Sequence, residues 1–340
     1  MNIAVFKFNH LGDNVVFVSA LQALRRRCPE WKITLLTTPR EAELYKGPFG
    51  PQEVLVYTKR GFDRSYRRPW VLAWWMWTVR RRRPDACLVS FDQGSVAHAL
   101  ARLSGARVRI GGKLTPPRVA HALTEEIPMP EDQRPVTWNW RMTRALARSF
   151  GRDEGWPSEA PPPDLRHLLP NGARTAGSRR RILVHAGASR YLNQWPLEHF
   201  AAVARALSKE FEVVWITHEG TTGSAPPGVV DAPVTTLRDF AEWAASADLF
   251  LGNNSGPMHL ANALGCPGVA VTGPSAPGWD PFWHRERWTN LRHPFLSCAP
   301  CEVLNKELDR CANAADPMAC LKYWTTESVE AACRSRLVQP

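Results

Sequence analysis

The sequence lacks both of the common nucleotide-binding fingerprints. No G-x-G-x-x-G follows a strand pattern, and no G-x-x-x-x-G-K-[ST] is present. These absences argue against a dehydrogenase and against a P-loop NTPase. No apolar run is long enough for a membrane-spanning helix, and the first residues, MNIAVFKFNHLGDN, contain no basic leader and no small-residue cleavage site. We therefore expect a cytoplasmic protein.

The chain has fewer acidic than basic side chains. The chain has 32 Asp and Glu against 43 Lys and Arg, which gives a net charge of +11. This balance favours an anionic partner, whether nucleic acid, a phosphorylated substrate or an acidic membrane face, and charge alone does not choose among them. A length of 340 residues with 44% hydrophobic residues predicts two globular domains of ordinary size.

The segment from Asp248 to Pro274, DLFLGNNSGPMHLANALGCPGVAVTGP, has the clearest local pattern. Two short apolar runs flank a helix that Asn254 and Ser255 are placed to cap, with Pro257 in its first turn and Gly265 at its end. A strand that opens into a helix through small residues leaves backbone N–H groups free, as phosphate sites do. The alternative is an ordinary strand–helix turn.

The N-terminal segment predicts the opening of a doubly wound α/β domain. The run from Ile3 to Phe8, interrupted by Lys7, suits a buried strand, and helical spacing continues from Val15 to the arginines before Pro29. Ligands of such domains bind at the carboxyl ends of the strands, where Asp13 lies. Asp13 has two interpretations: it caps the helix, or its carboxylate takes a proton from an attacking hydroxyl.

The stretch RRPWVLAWWMWTVRRRRP, residues 67 to 84, combines four tryptophans with clusters of arginine. A helix of this composition can lie in a membrane interface, with its rings at the headgroups and its arginines on anionic phosphates. The alternative is a helix packed on the sheet, because Trp70, Trp74 and Trp77 share one helical face that a core would cover.

The pattern breaks between Gly151 and Arg181, where proline, glycine and arginine dominate and an interdomain linker is predicted. The second part then repeats the first. Ile182 to His185 predicts a strand, a turn of small residues follows, and Leu197 to Leu207 predicts a helix. Two βαβ domains facing each other across a cleft are expected from this order of elements.

Four of the eight cysteines lie close together as C-x2-C-x9-C-x8-C: Cys298, Cys301, Cys311 and Cys320. Disulfides are rare in cytoplasmic proteins, so four thiolates around a zinc or iron ion are one interpretation. The alternative is four reduced cysteines packed in a loop. A closed four-sulfur site would be structural, since no coordination position remains for a substrate.

Taken together, these segments resemble glycosyltransferase family 9, the ADP-heptose:lipopolysaccharide heptosyltransferases and their relatives. The resemblance covers nearly the whole chain. It is carried by IAVFKFNHLGDNVVFVSALQALRRRCPEWKITLL, by HAGASRYLNQWPLEHFAAVARAL, by LFLGNNSGPMHLANALGCPGVAVTGPSAP, and by the cysteine tail with Thr325 to Ala332.

The resemblance implies a GT-B fold, α/β with two Rossmann-like domains facing each other across a cleft. Residues 1–165 would bind the acceptor, 166–181 would be the linker, and 182–324 would bind the nucleotide-sugar donor and include the cysteine-rich segment 298–320. Residues 325–340 would form a C-terminal helix that packs back on the first domain.

The resemblance also implies inverting sugar transfer with no cofactor needed for catalysis. Asp13 falls on the family's catalytic Asp, which favours the interpretation as a base over the cap. N–H groups of the helix after Asn254 would meet the developing negative charge, and Glu219 would lie near the donor ribose. The residues expected to bind the donor are Gly12, Ala188, Ser189, Arg190, Asn193, Trp195, Thr217, Glu219, Asn254, Ser255, Gly256, Pro257 and His259.

Two positions depart from the family's pattern. Where many members carry a Lys two residues before the Trp-Pro pair, this chain has Asn193 and Gln194 before Trp195. Where members read N-D-S-G-P-M-H, it has Asn254 in place of the Asp. One cation and one anion are lost together, and Arg190 is a candidate for the missing cation. Both departures put the identity of the donor in doubt.

ADP-heptose is the donor that the resemblance favours. A basic, Trp-rich first domain suits an anionic glycolipid acceptor at the inner-membrane surface, and a protein acceptor is the alternative, because relatives that heptosylate autotransporters also bind iron through cysteines. A remote alternative is a basic nucleic-acid-binding protein whose phosphate contacts are the arginines at 25–27, 80–83 and 179–181. The family resemblance leads us to expect no nucleic-acid partner.

Overall fold

The computed structural model describes residues 1–56, 69–90, 95–113, 121–169, 179–218, 223–301 and 310–338. The chain divides into two compact units, Met1–His167 and Leu168–Pro340. Each unit is built around a six-stranded sheet whose paired strands are all parallel. The predicted α/β class of GT-B type, with two Rossmann-like domains, is confirmed. The finer boundaries, with a linker at 166–181, stay predictions.

The first unit has the strand order β3-β2-β1-β4-β5-β6. Its strands are β1 (Asn2–Lys7), β2 (Lys32–Thr37), β3 (Glu53–Val56), β4 (Ala86–Val89), β5 (Val108–Gly112) and β6 (Glu125–Ile127). Its helices are α1 (Leu11–Arg27), α2 (Pro69–Arg80), α3 (Ser95–Leu103) and α4 (Pro135–Arg148). The order reverses beside β1, and the carboxyl ends of the strands at such a reversal are the usual ligand site of doubly wound sheets.

The second unit repeats this topology in the order β12-β11-β10-β7-β8-β9. Its strands are β7 (Arg181–His185), β8 (Glu212–Thr217), β9 (Val230–Pro233), β10 (Leu249–Asn253), β11 (Gly268–Thr272) and β12 (Trp288–Arg292). Its helices are α5 (Leu197–Leu207), α6 (Leu237–Ala245), α7 (Gly256–Ala263), α8 (Ala319–Lys322) and α9 (Thr326–Val338). The reversal here lies between β7 and β10, so the loops that follow these two strands flank the expected ligand site.

The ends of α7 confirm part of the sequence prediction. Pro257 lies in the first turn, and Gly265 follows the helix with φ +81°, a left-handed conformation that glycine adopts without a steric cost. The predicted side-chain cap is wrong. Ser255 occupies the N-cap position, but its side chain accepts no hydrogen bond from the helix.

The C-terminal helix α9 contributes to the core of the second unit. Val329, Cys333 and Leu337 are buried there among residues of α5, β10 and β11. Burial also raises the pKa of the Cys333 thiol, which is therefore protonated at neutral pH. The packing of this helix against the first domain stays a prediction.

Helix α2 packs on its unit through a different face from the one that the core interpretation expects. Trp75 and Val79 are buried in a core cluster of the first unit, and Val71, Leu72 and Met76 pack partly against it. Trp70, Trp74 and Trp77 are 66%, 53% and 56% exposed, so the alternative in which these three rings belong to the core is wrong. The buried face is the opposite one, which the tryptophan spacing alone did not distinguish. In the parts of the chain that the structure describes, no helix has the length and hydropathy to cross a bilayer.

Candidate active site

Asp13 lies in the first turn of α1, directly after the loop that follows β1. The helix begins at Leu11 and its N-cap residue is His10, whose side chain makes no capping hydrogen bond. Asp13 is therefore not the N-cap, and the interpretation of it as a cap is wrong. The predicted donor residue Gly12 precedes it and is buried, whereas Asp13 is half-buried. The positive end of the helix dipole favours the ionised form of a carboxylate at this position.

Asn14 holds the β1–α1 loop in place. Its amide Nδ2 donates to the carbonyl oxygens of Asn9 at 2.9 Å and His10 at 3.0 Å, and its Oδ1 accepts from the hydroxyl of Tyr45 at 2.8 Å. The pKa of Tyr45 is raised well above its usual value by burial and by the charges of Glu41 and Asp13. The Tyr45 hydroxyl therefore remains a proton donor to Asn14.

Lys7 is a buried cation at the carboxyl end of β1, which we did not predict as a site residue. Its side chain is fully buried, and its Nζ donates to the carbonyl of Ser90, just after β4, at 3.4 Å and lies 5.9 Å from the ring centre of Phe17. The only signal in the sequence is that a lysine interrupts an apolar run. It places positive charge at the strand ends that flank the sheet reversal.

Asn253 joins the two loops at the sheet reversal of the second unit, and the sequence analysis did not identify it. This fully buried residue ends β10. Its Oδ1 accepts from the backbone N–H of Trp195 at 2.8 Å, and its Nδ2 donates to the carbonyl of Ala186 at 2.8 Å. The β10–α7 and β7–α5 loops are thereby fixed to each other.

The β7–α5 loop contains five of the predicted donor residues. Ala188 is buried and Ser189 is exposed, while Arg190 and Asn193 are half-buried. Asn193 donates through Nδ2 to Ser275 Oγ at 3.3 Å, which links this loop to the one after β11. Trp195 is 1% exposed and belongs to the core, and its indole N–H donates to the Trp324 carbonyl at 3.0 Å, so its ring is not placed to contact a ligand.

Asn254, the residue that departs from the family pattern, lies beside an acid from another loop. Its Nδ2 is 3.4 Å from Asp280 Oδ1 and 3.4 Å from Thr272 Oγ1. Arg292 Nη2 donates to the same Asp280 oxygen at 2.6 Å. A carboxylate and a guanidinium therefore lie next to the position where the family has an Asp.

The N-terminus of α7 is polar and lacks a protein cap. The Ser255 hydroxyl is buried and has no hydrogen-bond partner among the described residues, and Gly256 and Pro257 next to it are half-buried. His259, one turn further on, is 5% exposed and packs edge-on against Trp279 with ring centres 5.6 Å apart. Burial lowers the pKa of His259 to about 4, so its imidazole is neutral at pH 7. The arrangement suits an anion that accepts hydrogen bonds.

Thr217 and Glu219 complete the predicted set. Thr217 ends β8, and its hydroxyl donates to the carboxylate of Asp231. Glu219 lies outside the described residues, so its expected place near a ribose stays a prediction.

The four clustered cysteines are free thiols. Burial and the neighbouring Cys301, Cys311 and Cys298 raise the pKa of Cys320 to about 11, so the four sulfurs lie close enough to interact. The backbone N–H of Met318 also donates to Cys311 Sγ at 3.2 Å, a contact that suits a thiolate. Within the described ranges, however, no three His, Cys, Asp or Glu side chains are grouped so that they would hold a metal ion. Their proximity is shown, and their ligation of a metal stays a prediction.

Residues 78–311 match the family model described as glycosyltransferase family 9 (heptosyltransferase). The chain belongs to glycosyltransferase family 9. This makes it a glycosyltransferase of the heptosyltransferase type. The matched stretch contains all the predicted donor residues except Gly12, and Asp13 also precedes it. The candidate base therefore rests on its position after β1 and on the resemblance of the N-terminal segment.

A relative of this family-9 chain agrees with that assignment. Lipopolysaccharide heptosyltransferase 1 of Campylobacter coli is 28% identical over 123 residues, which cover 32% of this chain and 36% of the relative. The match thus spans about a third of that protein's length.

Among solved structures, E. coli heptosyltransferase WaaC with ADP aligns over 99% of this chain and 100% of its own, with a TM-score of 0.70 and 17% identity. WaaC with ADP-2-deoxy-2-fluoro heptose has the same TM-score. The iron-containing dodecameric glycosyltransferase TibC of enterotoxigenic E. coli aligns over 99% of this chain and 76% of its own, with a TM-score of 0.57 and 16% identity. Because these sequence identities are low, the structural comparisons establish the fold alone.

Proposed function

We propose that this family-9 glycosyltransferase moves a heptose, or a similar sugar, from a nucleotide sugar to a hydroxyl of a lipopolysaccharide-core-type acceptor, with inversion at the anomeric carbon. ADP-heptose is the proposed donor. The observation that carries the proposal is the uncapped N-terminus of α7, where the buried Ser255 hydroxyl lacks a protein partner. Such a helix end binds a diphosphate through its free N–H groups and its dipole.

In the proposed reaction Asp13 is the general base. Its carboxylate takes the proton of the acceptor hydroxyl while the hydroxyl oxygen bonds to the anomeric carbon, and the bond from that carbon to the diphosphate breaks on the opposite face. The nucleoside diphosphate leaves with an additional negative charge. The N–H groups at the start of α7, the Ser189 hydroxyl and the Arg190 guanidinium stabilise that charge. Neutral His259 can donate one hydrogen bond from its ring but supplies no charge.

The test is a thermal-shift screen with ADP-, GDP-, UDP- and dTDP-sugars, repeated with Asp13→Ala. Stabilisation by ADP-heptose alone, retained in the variant while transfer is lost, supports both donor and base. If no nucleotide sugar raises the melting temperature, the donor proposal is wrong.

For the acceptor we propose an anionic glycolipid at the cytoplasmic face of the inner membrane, because a phosphorylated glycolipid complements a chain of net charge +11. The alternative is a protein acceptor. Incubation with labelled ADP-heptose, followed by separation of lipid from protein, distinguishes the two, since the label appears in only one fraction.

Several of the arginines that the nucleic-acid alternative invokes are already engaged within their own units. Arg25 and Arg27 donate to backbone carbonyls within the first unit, Arg82 pairs with Glu53, and Arg181 is buried against Glu212. Guanidinium groups engaged in this way have few free N–H donors left for phosphates.

We further propose that Cys298, Cys301, Cys311 and Cys320 hold a structural zinc or iron ion. Four clustered thiols are the donor set that these metals prefer, and the comparable protein TibC is described as iron-containing. The ion would stabilise the segment after β12. The ion would take no part in the sugar-transfer reaction itself.

A further inference from the structure

Helix α2 presents two different faces. Trp75 and Val79 anchor one face in the core of the first unit. The opposite face bears Trp70, Trp74 and Trp77 at spacings of four and three residues, which place them on one side of the helix. Because the buried face fixes the helix on its unit, the fold itself holds the other face in solvent.

The three exposed rings form a large apolar surface. With 66%, 53% and 56% of their surfaces exposed, they leave roughly 400 Å² in solvent. An apolar patch of that size on a single chain indicates an interaction site. The Trp74 ring packs edge-on against buried Trp75 with centres 4.7 Å apart, so at least this ring is held in position before any partner arrives.

Positive charge borders this patch. Arg80 and Arg81 are exposed at the end of the helix, and the Arg81 guanidinium lies 4.8 Å from the ring centre of Trp77. The segment from Pro69 to Arg83 contains four arginines, all at its end, and no acidic residue. A second copy of the same face would bring cations together without a carboxylate to balance them, whereas a surface of lipid phosphates balances them fully.

We propose that the exposed face of α2, defined by Trp70, Trp74, Trp77, Arg80 and Arg81, docks on an anionic lipid surface. The indole rings lie at the headgroup level, where their apolar bodies leave water and their N–H groups remain hydrogen-bonded. The arginines bind lipid phosphates. This inference deepens the proposed function by assigning the surface that brings the enzyme to a membrane-borne acceptor, and its biological setting rests on that function.

The experiment is flotation of the full chain with vesicles of phosphatidylcholine alone or mixed with phosphatidylglycerol, at low and at high salt. Wild type is expected to float with the anionic vesicles at low salt. Two variants test the face: Trp70→Ser/Trp74→Ser/Trp77→Ser, and Arg80→Glu/Arg81→Glu, each expected to lower the partition coefficient about tenfold or more. Phe295→Ser is the matched control, because Phe295 is 91% exposed on the second unit, and it is expected to float as wild type does.

Three results would overturn the proposal. The first is that wild type fails to bind anionic vesicles at low salt, and the second is that the folded triple tryptophan variant floats as wild type does. The third is that wild type forms an oligomer and the tryptophan variant is monomeric, which would make the face a protein interface. If the tryptophan variant does not fold, the arginine variant decides, since it changes only exposed side chains. ADP binding is measured in parallel. Wild type that binds ADP but does not float with anionic vesicles contradicts this inference alone, and wild type that floats but does not bind ADP contradicts the donor proposal alone.

Discussion

The side-chain amide of Asn254 lies 3.4 Å from Asp280 Oδ1, the oxygen to which Arg292 donates at 2.6 Å. The negative charge that the family's Asp would supply at position 254 is thus present on a neighbouring loop. Asn254 is compatible with Asp280 because an amide can donate to a carboxylate, whereas a second carboxylate would repel it. The departure at this position therefore retains an acid near the helix N-terminus.

Asn254→Asp is expected to destabilise the protein although it restores the family residue. Two carboxylates would face each other beside a single arginine, at a cost of about 2 kcal/mol in the free energy of unfolding. Asp280→Asn in the same chain should recover most of that loss. Urea unfolding at pH 7 of wild type, both single variants and the double variant measures the coupling. Additive effects of the two substitutions would contradict it.

Asn253→Ala is expected to lower the free energy of unfolding by about 3 kcal/mol, since the Trp195 N–H and the Ala186 carbonyl lose their partner. It should also weaken ADP binding because the two loops are no longer joined. Gln22→Ala is the matched control. The Gln22 side chain makes two hydrogen bonds to the backbone of Asp164 within the first unit, at 2.7 and 2.8 Å.

Both variants should therefore unfold more easily in urea, but only the substitution of Asn253 should reduce ADP affinity in calorimetry. Equal ADP affinity in the two folded variants would show that the link between the loops does not shape the donor site.

Asp13→Asn is expected to reduce the rate of transfer by about a hundredfold or more, because the amide keeps the size of the side chain and cannot take a proton. The affinity for the donor and the melting temperature should change little. Single-turnover transfer and ADP calorimetry on the same preparation measure both effects. A folded variant that transfers at the wild-type rate would remove Asp13 from the mechanism.

Stability is expected to fall as the pH drops from 6.5 towards 4. Burial lowers the pKa of His259 to about 4 in the folded chain, while the unfolded chain takes up the same proton near pH 6.5. The unfolded state then binds more protons, so acid favours unfolding, by about 2 kcal/mol at pH 5 relative to pH 7. Urea titrations of wild type and His259→Gln at the two values check this. An identical loss in the variant would mean that other groups are responsible.

The metal content of the purified protein tests whether the four clustered cysteines bind an ion. We expect zinc or iron at about one ion per chain in protein purified without chelator, measured by elemental analysis. Cys311→Ser/Cys320→Ser should lose the ion and lower the melting temperature. Cys266→Ser is the control, since Cys266 is a buried thiol outside the cluster whose pKa is raised to about 12 by burial. Metal-free wild type with an unchanged melting temperature after chelation would contradict the prediction.

Local patterns in the sequence were sufficient to predict most of the helices and strands around the site. Helix α5 was predicted over Leu197–Leu207 and is found there, and the strands on either side of α7 follow apolar runs that end in small residues. Such elements are readable because apolar periodicity and helix-end residues act over a few neighbouring positions. The cap interpretation of Asp13 was wrong because α1 begins earlier, with His10 at its N-cap, and the cap expected from Ser255 was wrong because this residue occupies the N-cap of α7 without accepting a hydrogen bond from the helix.

The sequence by itself determined the class of this protein: two doubly wound α/β units, a small-residue strand–helix turn, and a helix rich in tryptophan and arginine. Only the tertiary structure decided which residues join these parts. Asn253 links two loops, Asp280 stands beside Asn254, and Trp75 turns inward while Trp74 turns outward. The physical reason is that hydrogen bonds between loops and burial of one helix face depend on partners far apart in the chain, which periodicity and composition do not encode.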